Sequence, residues 1–474
     1  MTGFAPCCGN TTGSDHSGQA LDARLMADLK RQLGLLDSTM INVGTIIASA
    51  IFIVPSVIAL TLGGSLPTIL VWVVGGAVSL LGALSAAELG AAMPNAGGIY
   101  VYLSRAYGPL WGYLYGWSSG VVINPASIAA IALGFATYVG FFVPLDDGGI
   151  KAVAVASIVG LTVLNSLGVR LGAITQNVLT LTKIGLVTVL IVVGFVLPGG
   201  SVANLAPLWS DAPLGKQIAS FGVALVAVLW AYDGWIEITY VGSEVKDPER
   251  NMPRSIILST FIAIALYCLV TASFAYVLSP ATMGASSLVA SDAAKVTLGA
   301  AGAGLVAVAI MTATLGSNNG IVLTAARVPY AMARDGLLPR WLATVHPRFL
   351  TPIPSLAVQA VVAIALTLIS TDPSWKNTYN HLFTYVVLAE FVFYGMSCGA
   401  VMVLRRKEPD LVRPYMAWGY PVTPIIFILF ALWLLYNTAR EQPVDVAMST
   451  LLVLAGLPLY WWQRRLAARV VATP

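Results

Sequence analysis

Apolar stretches of roughly 20 residues, the length a helix needs to cross the hydrocarbon core of a bilayer, recur from Leu35 to Tyr460 with only short polar gaps between them. They are continuously apolar and do not alternate every second residue over about ten positions, which favours helices over the strands of a membrane barrel. A water-soluble fold could not hide such a surface, since 58% of the residues are hydrophobic and only 10% are charged. The pattern predicts an all-α polytopic membrane protein with twelve transmembrane helices, over 35–60, 67–93, 111–144, 152–169, 173–197, 217–241, 255–278, 297–325, 353–370, 383–404, 422–437 and 445–462.

Orientation follows from the 25 Lys and Arg residues. With the N-terminus cytoplasmic, 19 of them fall on the cytoplasmic side and 5 outside (Lys151, Lys216, Lys295, Lys376 and Arg440), leaving Lys183 inside a span. This is the bias of the positive-inside rule, and it favours an even number of crossings with both tails, 1–34 and 463–474, in the cytoplasm of a cell holding the protein in its inner or plasma membrane. The net charge of +4 thus reflects topology, and no nucleic-acid partner is expected. Residues 1–30 lack a basic start followed by an apolar core, so the first span is expected to act as the insertion signal. Cys7 and Cys8 lie in the tail and Cys268 and Cys398 in spans, a spacing that suggests neither a disulfide framework nor a metal site.

Unwound backbone at membrane depth persists only where it faces protein or a water-filled site. Two spans carry such interruptions. The first contains GTIIASAIF (44–52), small and hydroxylated residues near mid-membrane; the sixth contains WAYDGW (230–235), with a carboxylate and a glycine at similar depth. They lie five helices apart and so enter from opposite sides, as the starts of two inverted five-helix repeats do. A half-helix N-terminus offers free amides to a carboxylate and C-terminal ends offer carbonyls to an ammonium, which suits a zwitterion. Small residues also serve close helix packing, so neither cluster decides the matter alone.

These segments carry a family resemblance. GTIIASAIF resembles the G-x-I-I-G-S-G-I-F motif of the amino acid-polyamine-organocation superfamily, within it the L-amino-acid transporter branch of heteromeric-transporter light chains and their bacterial relatives. AELGAAMPNAGGIYVYLSRAYG (87–108), WAYDGW with SEVKDPERNMPR (243–254), GSNNGIVLTAARVPYAMARDGLLP (316–339) and LRRKEPDLVRPYMAWGYPVTP (404–424) are similar to its further motifs, in order, over nearly the whole chain. The resemblance implies two inverted repeats, 35–197 and 217–404, two further helices over 422–462, and alternating access to a central site. It implies that the substrate carboxylate lies near Ala48, Ser49 and Ala50, and its ammonium near the carbonyls of Ile46, Ile47, Trp230 and Ala231 and near Gly234, with Trp230 as an aromatic gate. Ala48 and Ala50 stand where the family usually has glycine, and their methyl groups restrict positive φ and crowd the backbone.

A charge within a span costs on the order of 2.5–3.5 kcal/mol on insertion scales, so each needs a reason. The resemblance places Lys183 (TLTKIGLV) where sodium-coupled relatives hold sodium, bridging the first and eighth helices beside Ser317, Asn318 and Asn319; this implies sodium-independent transport. Asp233 and Glu237, four apart, would share a face of a regular helix. Asp233 is a candidate for substrate recognition or for a structural hydrogen bond. Glu390 (VVLAEFVFYGM) is a candidate proton site or a neutral, hydrogen-bonded acid, the form that desolvation favours.

The expected function is sodium-independent transport of L-amino acids by exchange or facilitation. Proton-coupled symport of an amino acid or polyamine is the alternative, and a channel or a non-transporting sensor lies further off. An enzyme is not expected: His16, His346 and His381 form no metal site or nucleophile–base pair, no Walker loop is present, and no cofactor is implied. Family light chains bind a glycoprotein through a cysteine between the third and fourth helices; 144–151 here has none, which implies a stand-alone carrier with an amino acid and the bilayer as its partners.

Overall fold

The computed structural model describes residues 29–369 and 376–472. Cys7, Cys8, His16 and most of the polar tail lie outside these residues. Among them every element of length is a helix, as the apolar runs predict. The first span is two helices, α1 (Leu35–Ile46) and α2 (Ala50–Leu62), bent by 44° across the intervening residues. α3 (Ser65–Ala92) follows, and then a short α4 (Ile99–Tyr107) leads to α5 (Pro109–Val139), which carries a π-helical turn at Ser119–Ile123. α6 (Asp147–Ser166) and α7 (Val169–Val196) complete the first half.

The second half opens on α8 (Leu214–Ala231) and continues through α9 (Pro248–Val277), α10 (Ala300–Ala325), α11 (Arg327–Arg334), α12 (Ile353–Ile369) and α13 (Lys376–Lys407). α14 (Val422–Glu441), α15 (Pro443–Leu454) and α16 (Gly456–Ala472) end the chain. Among the described residues ten helices are long and apolar enough to cross a bilayer, and the bent pair α1–α2 makes an eleventh. α12 occupies the ninth expected place and is shorter, at 17 residues.

The sixth span breaks within 230–235 as expected but does not resume as an α-helix up to 241. α8 stops at Ala231, and the chain proceeds through turns to 3-10 segments at Glu237–Tyr240 and Gly242–Glu244. Asn42 of α1 explains how this backbone stays satisfied: its side-chain amide donates to the Trp235 carbonyl (3.0 Å) and its Oδ1 accepts from the Ile238 amide (2.9 Å). An interior polar side chain thus replaces the missing helical bonds, as a bilayer requires.

α7 shows how the fold sorts residues. Ala173, Gln176, Thr180, Lys183, Val187, Leu190 and Gly194 recur at helical spacing and are buried, whereas Ile174, Val178, Leu181, Val189 and Val192 point outward. Apolar residues meet lipid and the polar stripe turns inward, where protein groups can satisfy it. That stripe lies along α1: Asn177 bonds Asp37 (2.7 Å), Thr180 donates to the Met40 carbonyl (3.1 Å), and Lys183 follows. α9 packs along α3 and α1, and α10 against α5, α7 and α1, so the two interrupted spans sit at the centre.

Candidate functional site

The first interruption faces α2 with an open N-terminus. Ile47 has φ −82° and Ser49 φ −71°, and neither Ala48 nor Ala50 adopts positive φ. The chain therefore unwinds without the conformation that alanine resists, and the two methyl groups are compatible with the break. Among the described residues the amides of Ser49, Ala50 and Ile51 find no acceptor. Ala48 and Ser49 are partly exposed while Ile46, Ile47 and Ala50 are buried. Three free amides at the positive end of a helix dipole make an anion site of the kind that takes a carboxylate.

Opposite them stand the C-terminal carbonyls of α1 and α8. The Gly44 and Ile47 carbonyls accept from Lys183 Nζ (2.6 and 2.7 Å), which also reaches Ala313 of α10 at 3.2 Å. Lys183 is completely buried. Room for it comes from Gly316, where a Cβ would lie 3.1 Å from Lys183 Cε. The Thr45 carbonyl accepts from Ser317 (3.1 Å). Ile46 accepts from Ala48 N (3.0 Å) and from the Tyr267 hydroxyl (2.8 Å), Ala231 from the same hydroxyl (2.7 Å), and Trp230 from Asp233 N (2.9 Å).

Gly234 closes the two breaks on each other. Its φ is +109°, and a Cβ there would sit 2.9 Å from Ile46 N and 2.9 Å from Thr45 Oγ1. Only glycine allows both the conformation and the approach.

Two sequence expectations need correction. Asp233 and Glu237 share no face, because the backbone between them is not α-helical: Asp233 accepts from Tyr394 of α13 (2.8 Å), whereas Glu237 accepts from Thr324 of α10. Asn318 does not stand beside Lys183. Successive helical residues point about 100° apart, so Ser317 faces α1 while Asn318 donates to Ile128 of α5 (3.3 Å) and Asn319 to Gln176 (2.7 Å). Glu390 is buried on α13, one turn before Tyr394. Among the described residues no Lys, Arg or His pairs with Asp233, Glu237 or Glu390.

The sequence residues 33–458 match the family described as amino acid permease. The chain belongs to that family. The permease is 31% identical over 449 residues to the serine/threonine exchanger SteT of Bacillus subtilis (strain 168), covering 92% of this chain and 98% of the exchanger. It is 33% identical to the b(0,+)-type amino acid transporter 1 of Homo sapiens, with 91% and 88% of the two chains covered. It is also 33% identical to the large neutral amino acids transporter small subunit 2 of Homo sapiens, at 95% and 84% coverage.

The permease also holds groups that sequence reading passed over. On the N-terminal side of the site, the segment after α8 is tied to its surroundings by three polar links: Glu237 to Thr324, Tyr240 to Tyr115 of α5 (2.6 Å), and Glu244 to Arg327. The last is an ion pair with both side chains fully buried, Nε to Oε1 at 2.7 Å and Nη2 to Oε2 at 3.1 Å. Beyond it a cavity of about 520 Å³, lined by Asn95, Ser243, Arg334 and Asp335 among others, faces the N-terminal side. Towards the opposite face a cavity of about 490 Å³ lies between Val57, Ala227, Val387 and Trp433, one helical turn from Trp230.

Proposed function

We propose that this permease is a sodium-independent exchanger of L-amino acids that works by alternating access. The observation that carries the reading is the pairing of opposite ends: free amides of Ser49, Ala50 and Ile51 on one side, the carbonyls of Ile46, Trp230 and Ala231 on the other, with Gly234 holding the breaks together. A zwitterion matches both. In this reading Ile46, Ile47, Ala48, Ser49, Ala50, Trp230, Ala231 and Gly234 surround the substrate, and Lys183 with Ser317 braces α1 in place of a sodium ion. Two observations support the brace: Lys183 Nζ already spans carbonyls of α1 and α10, and relatives named as an exchanger and as amino acid transporters align over nearly the full chain.

The same reading divides the chain into repeats at 35–197 and 217–404 followed by 422–462, and places both termini in the cytoplasm in accord with the basic bias. The loop 144–151 lacks cysteine, so the carrier works without a disulfide-linked partner. Uptake of labelled L-serine and L-threonine into proteoliposomes tests the proposal, with a panel of other amino acids as competitors. Stimulation by internal amino acid and indifference to replacing sodium by choline are expected; uptake that needs sodium, or that no amino acid inhibits, would sink it.

One observation favours proton coupling as a second reading. Glu390 is buried one turn from Tyr394, which donates to Asp233, and among the described residues neither acid forms an ion pair; a buried acid without a cationic partner is the kind that takes up a proton. Glu390 is then the proton site and Asp233 its partner towards the substrate.

A further inference from the structure

The motif at 404–424 belongs to the N-terminal-side ends of α3 and α13 and not to the two breaks. It is built around Glu88, buried near the end of α3. Glu88 accepts from Arg405 near the end of α13 (Nε 2.8 Å, Nη2 2.6 Å) and from the Ala417 amide (2.7 Å), while the Arg405 guanidinium lies 3.8 Å from the centre of the Tyr420 ring. Arg413 donates to the Leu404, Glu408 and Leu411 carbonyls (2.8–2.9 Å), and Arg105 of α4 pairs with Glu408 at 2.6 Å. Charge-assisted bonds of this kind are short and strong, so the loop 408–421 holds one shape and presents one surface.

That surface is apolar. Val412, Met416 and Trp418 are 75, 55 and 65% exposed. Met416 and Trp418 flank Ala417, which is buried with its amide on Glu88, so the bond that turns Ala417 in leaves its neighbours out. Large apolar side chains gathered on a short, tied loop mark a contact surface. The exposed row runs on into Val422, Ile425, Ile426 and Leu429 of α14, a helix long and apolar enough to cross a bilayer. Beside it Arg406 and Lys407 are exposed at the end of α13. Lys407 gives one N–H to the Ala106 carbonyl (2.9 Å), and among the described residues Arg406 has no ion pair. Of the motif's two acids Glu408 is taken by Arg105, which leaves Asp410.

We propose that the loop 408–421 docks on the leaflet of the N-terminal side, with Val412, Met416 and Trp418 at the boundary of headgroups and acyl chains and with Arg406 and Lys407 on the phosphates of anionic lipids. Tryptophan suits that depth because its body is apolar and its N–H is polar; Arg and Lys lay their stems along apolar surface and lift their charge to the headgroups. The occupant is the leaflet and not a protein, because the apolar row is continuous with the lipid-facing flank of α14 and the cations beside it have the sign that anionic headgroups attract. Docking does not depend on which solute the permease carries.

The test titrates short-chain phosphatidylglycerol into the detergent-solubilised permease and reads the melting temperature, with phosphatidylcholine of equal chain length and inorganic phosphate in parallel. Phosphatidylglycerol should stabilise at lower concentration than phosphatidylcholine, and phosphate should not stabilise. Arg406→Gln should lose about fivefold in apparent affinity for phosphatidylglycerol, the worth of one cation at an anionic surface, with its response to phosphatidylcholine unchanged, whereas Trp418→Ser should weaken both lipids. Each variant is compared with itself without lipid, so a lower yield of folded protein does not alter the result. In proteoliposomes the Trp418 emission, taken as wild type minus Trp418→Phe, should be quenched more by lipid brominated near the headgroup than by lipid brominated near the chain end. Quenching by neither lipid overturns the docking. So does an Arg406→Gln protein that responds to phosphatidylglycerol as the wild type does, or equal stabilisation by inorganic phosphate, which would make the cations a site for a free ion.

Discussion

Replacing Lys183 by Met keeps the length of the side chain and removes its ammonium. Three carbonyls lose a donor, but not equally: Ala313 lies within α10 and keeps its helical partner, whereas Gly44 and Ile47 sit at the end of α1, with only Lys183 bonded to them among the described residues. Two orphaned carbonyls at about 1–3 kcal/mol each amount to about 2–6 kcal/mol. The charge that Lys183 brings into the interior carries its own desolvation cost, several kcal/mol, so the measured loss falls towards the lower end. Thermal melting in detergent should drop by several degrees, and threonine exchange should fall because α1 is no longer braced against α10. Lys183→Ala empties more space around oxygens of the type that hard cations accept, so its melting temperature should rise when choline chloride is exchanged for sodium chloride. A Met variant that melts and exchanges as the wild type does would show that Lys183 is not the strut of the first break.

Gly234→Ala sets a methyl 2.9 Å from the Ile46 amide at a φ of +109°, a strain of about 1–3 kcal/mol before any collision is counted; the KM for amino acid should rise at least about tenfold in the exchange assay, and an unchanged KM would refute the close approach of the breaks. Arg327→Met leaves Glu244 buried without its partner, a loss of about 3–5 kcal/mol, and the double variant Arg327→Met/Glu244→Met should melt higher than the single one, which calorimetry in detergent decides. Glu390→Gln should abolish any response of uptake to an imposed proton gradient while leaving trans-stimulated exchange in place; a gradient response that survives assigns the proton elsewhere.

The spans and both interruptions were legible because hydropathy and small-residue clusters are properties of the linear chain. The fate of the sixth span was not. Residues 232–244 carry three acids and two glycines, which mark a break, but nothing in their own composition announces that Asn42, some 190 positions earlier, supplies the bonds that let them leave the helix. The false pairing of Asp233 with Glu237 has the same origin, since a spacing of four means a shared face only where the backbone is helical. Asn318 failed for a simpler reason: adjacent polar residues on one helix cannot all face one partner. Lys183 was visible because a charge in an apolar run is conspicuous, whereas Tyr267 bonds to carbonyls, which every residue possesses. Ala48 and Ala50 invited a warning drawn from glycine's freedom, yet the break is made at negative φ and the methyl groups cost it nothing in conformation.

The three links after α8 bear on why such a carrier would exchange and not leak. All belong to 237–244, a stretch of 3-10 turns without α-helix, and all reach helices α5, α10 and α11 on the N-terminal side. In the proposed alternating-access cycle, an opening of that side that parted Glu244 from Arg327 while both stayed buried would cost about 3–5 kcal/mol. An empty carrier meeting that cost crosses between its two faces roughly 10²–10⁴ times more slowly than one without it. In the proposed carrier a bound amino acid changes the balance, because its carboxylate satisfies the α2 amides of Ser49, Ala50 and Ile51, which otherwise find no acceptor among the described residues, and this gain is available in the closed intermediate through which the carrier passes. Coupling of that kind requires the latch and the site to share a backbone, and they do: Ala231, Gly234 and Glu244 lie within fourteen residues of one strand of chain. Arg327→Met should therefore raise uptake into vesicles that contain no amino acid relative to vesicles that do, and a variant that lowers both in proportion would separate the ion pair from the exchange requirement.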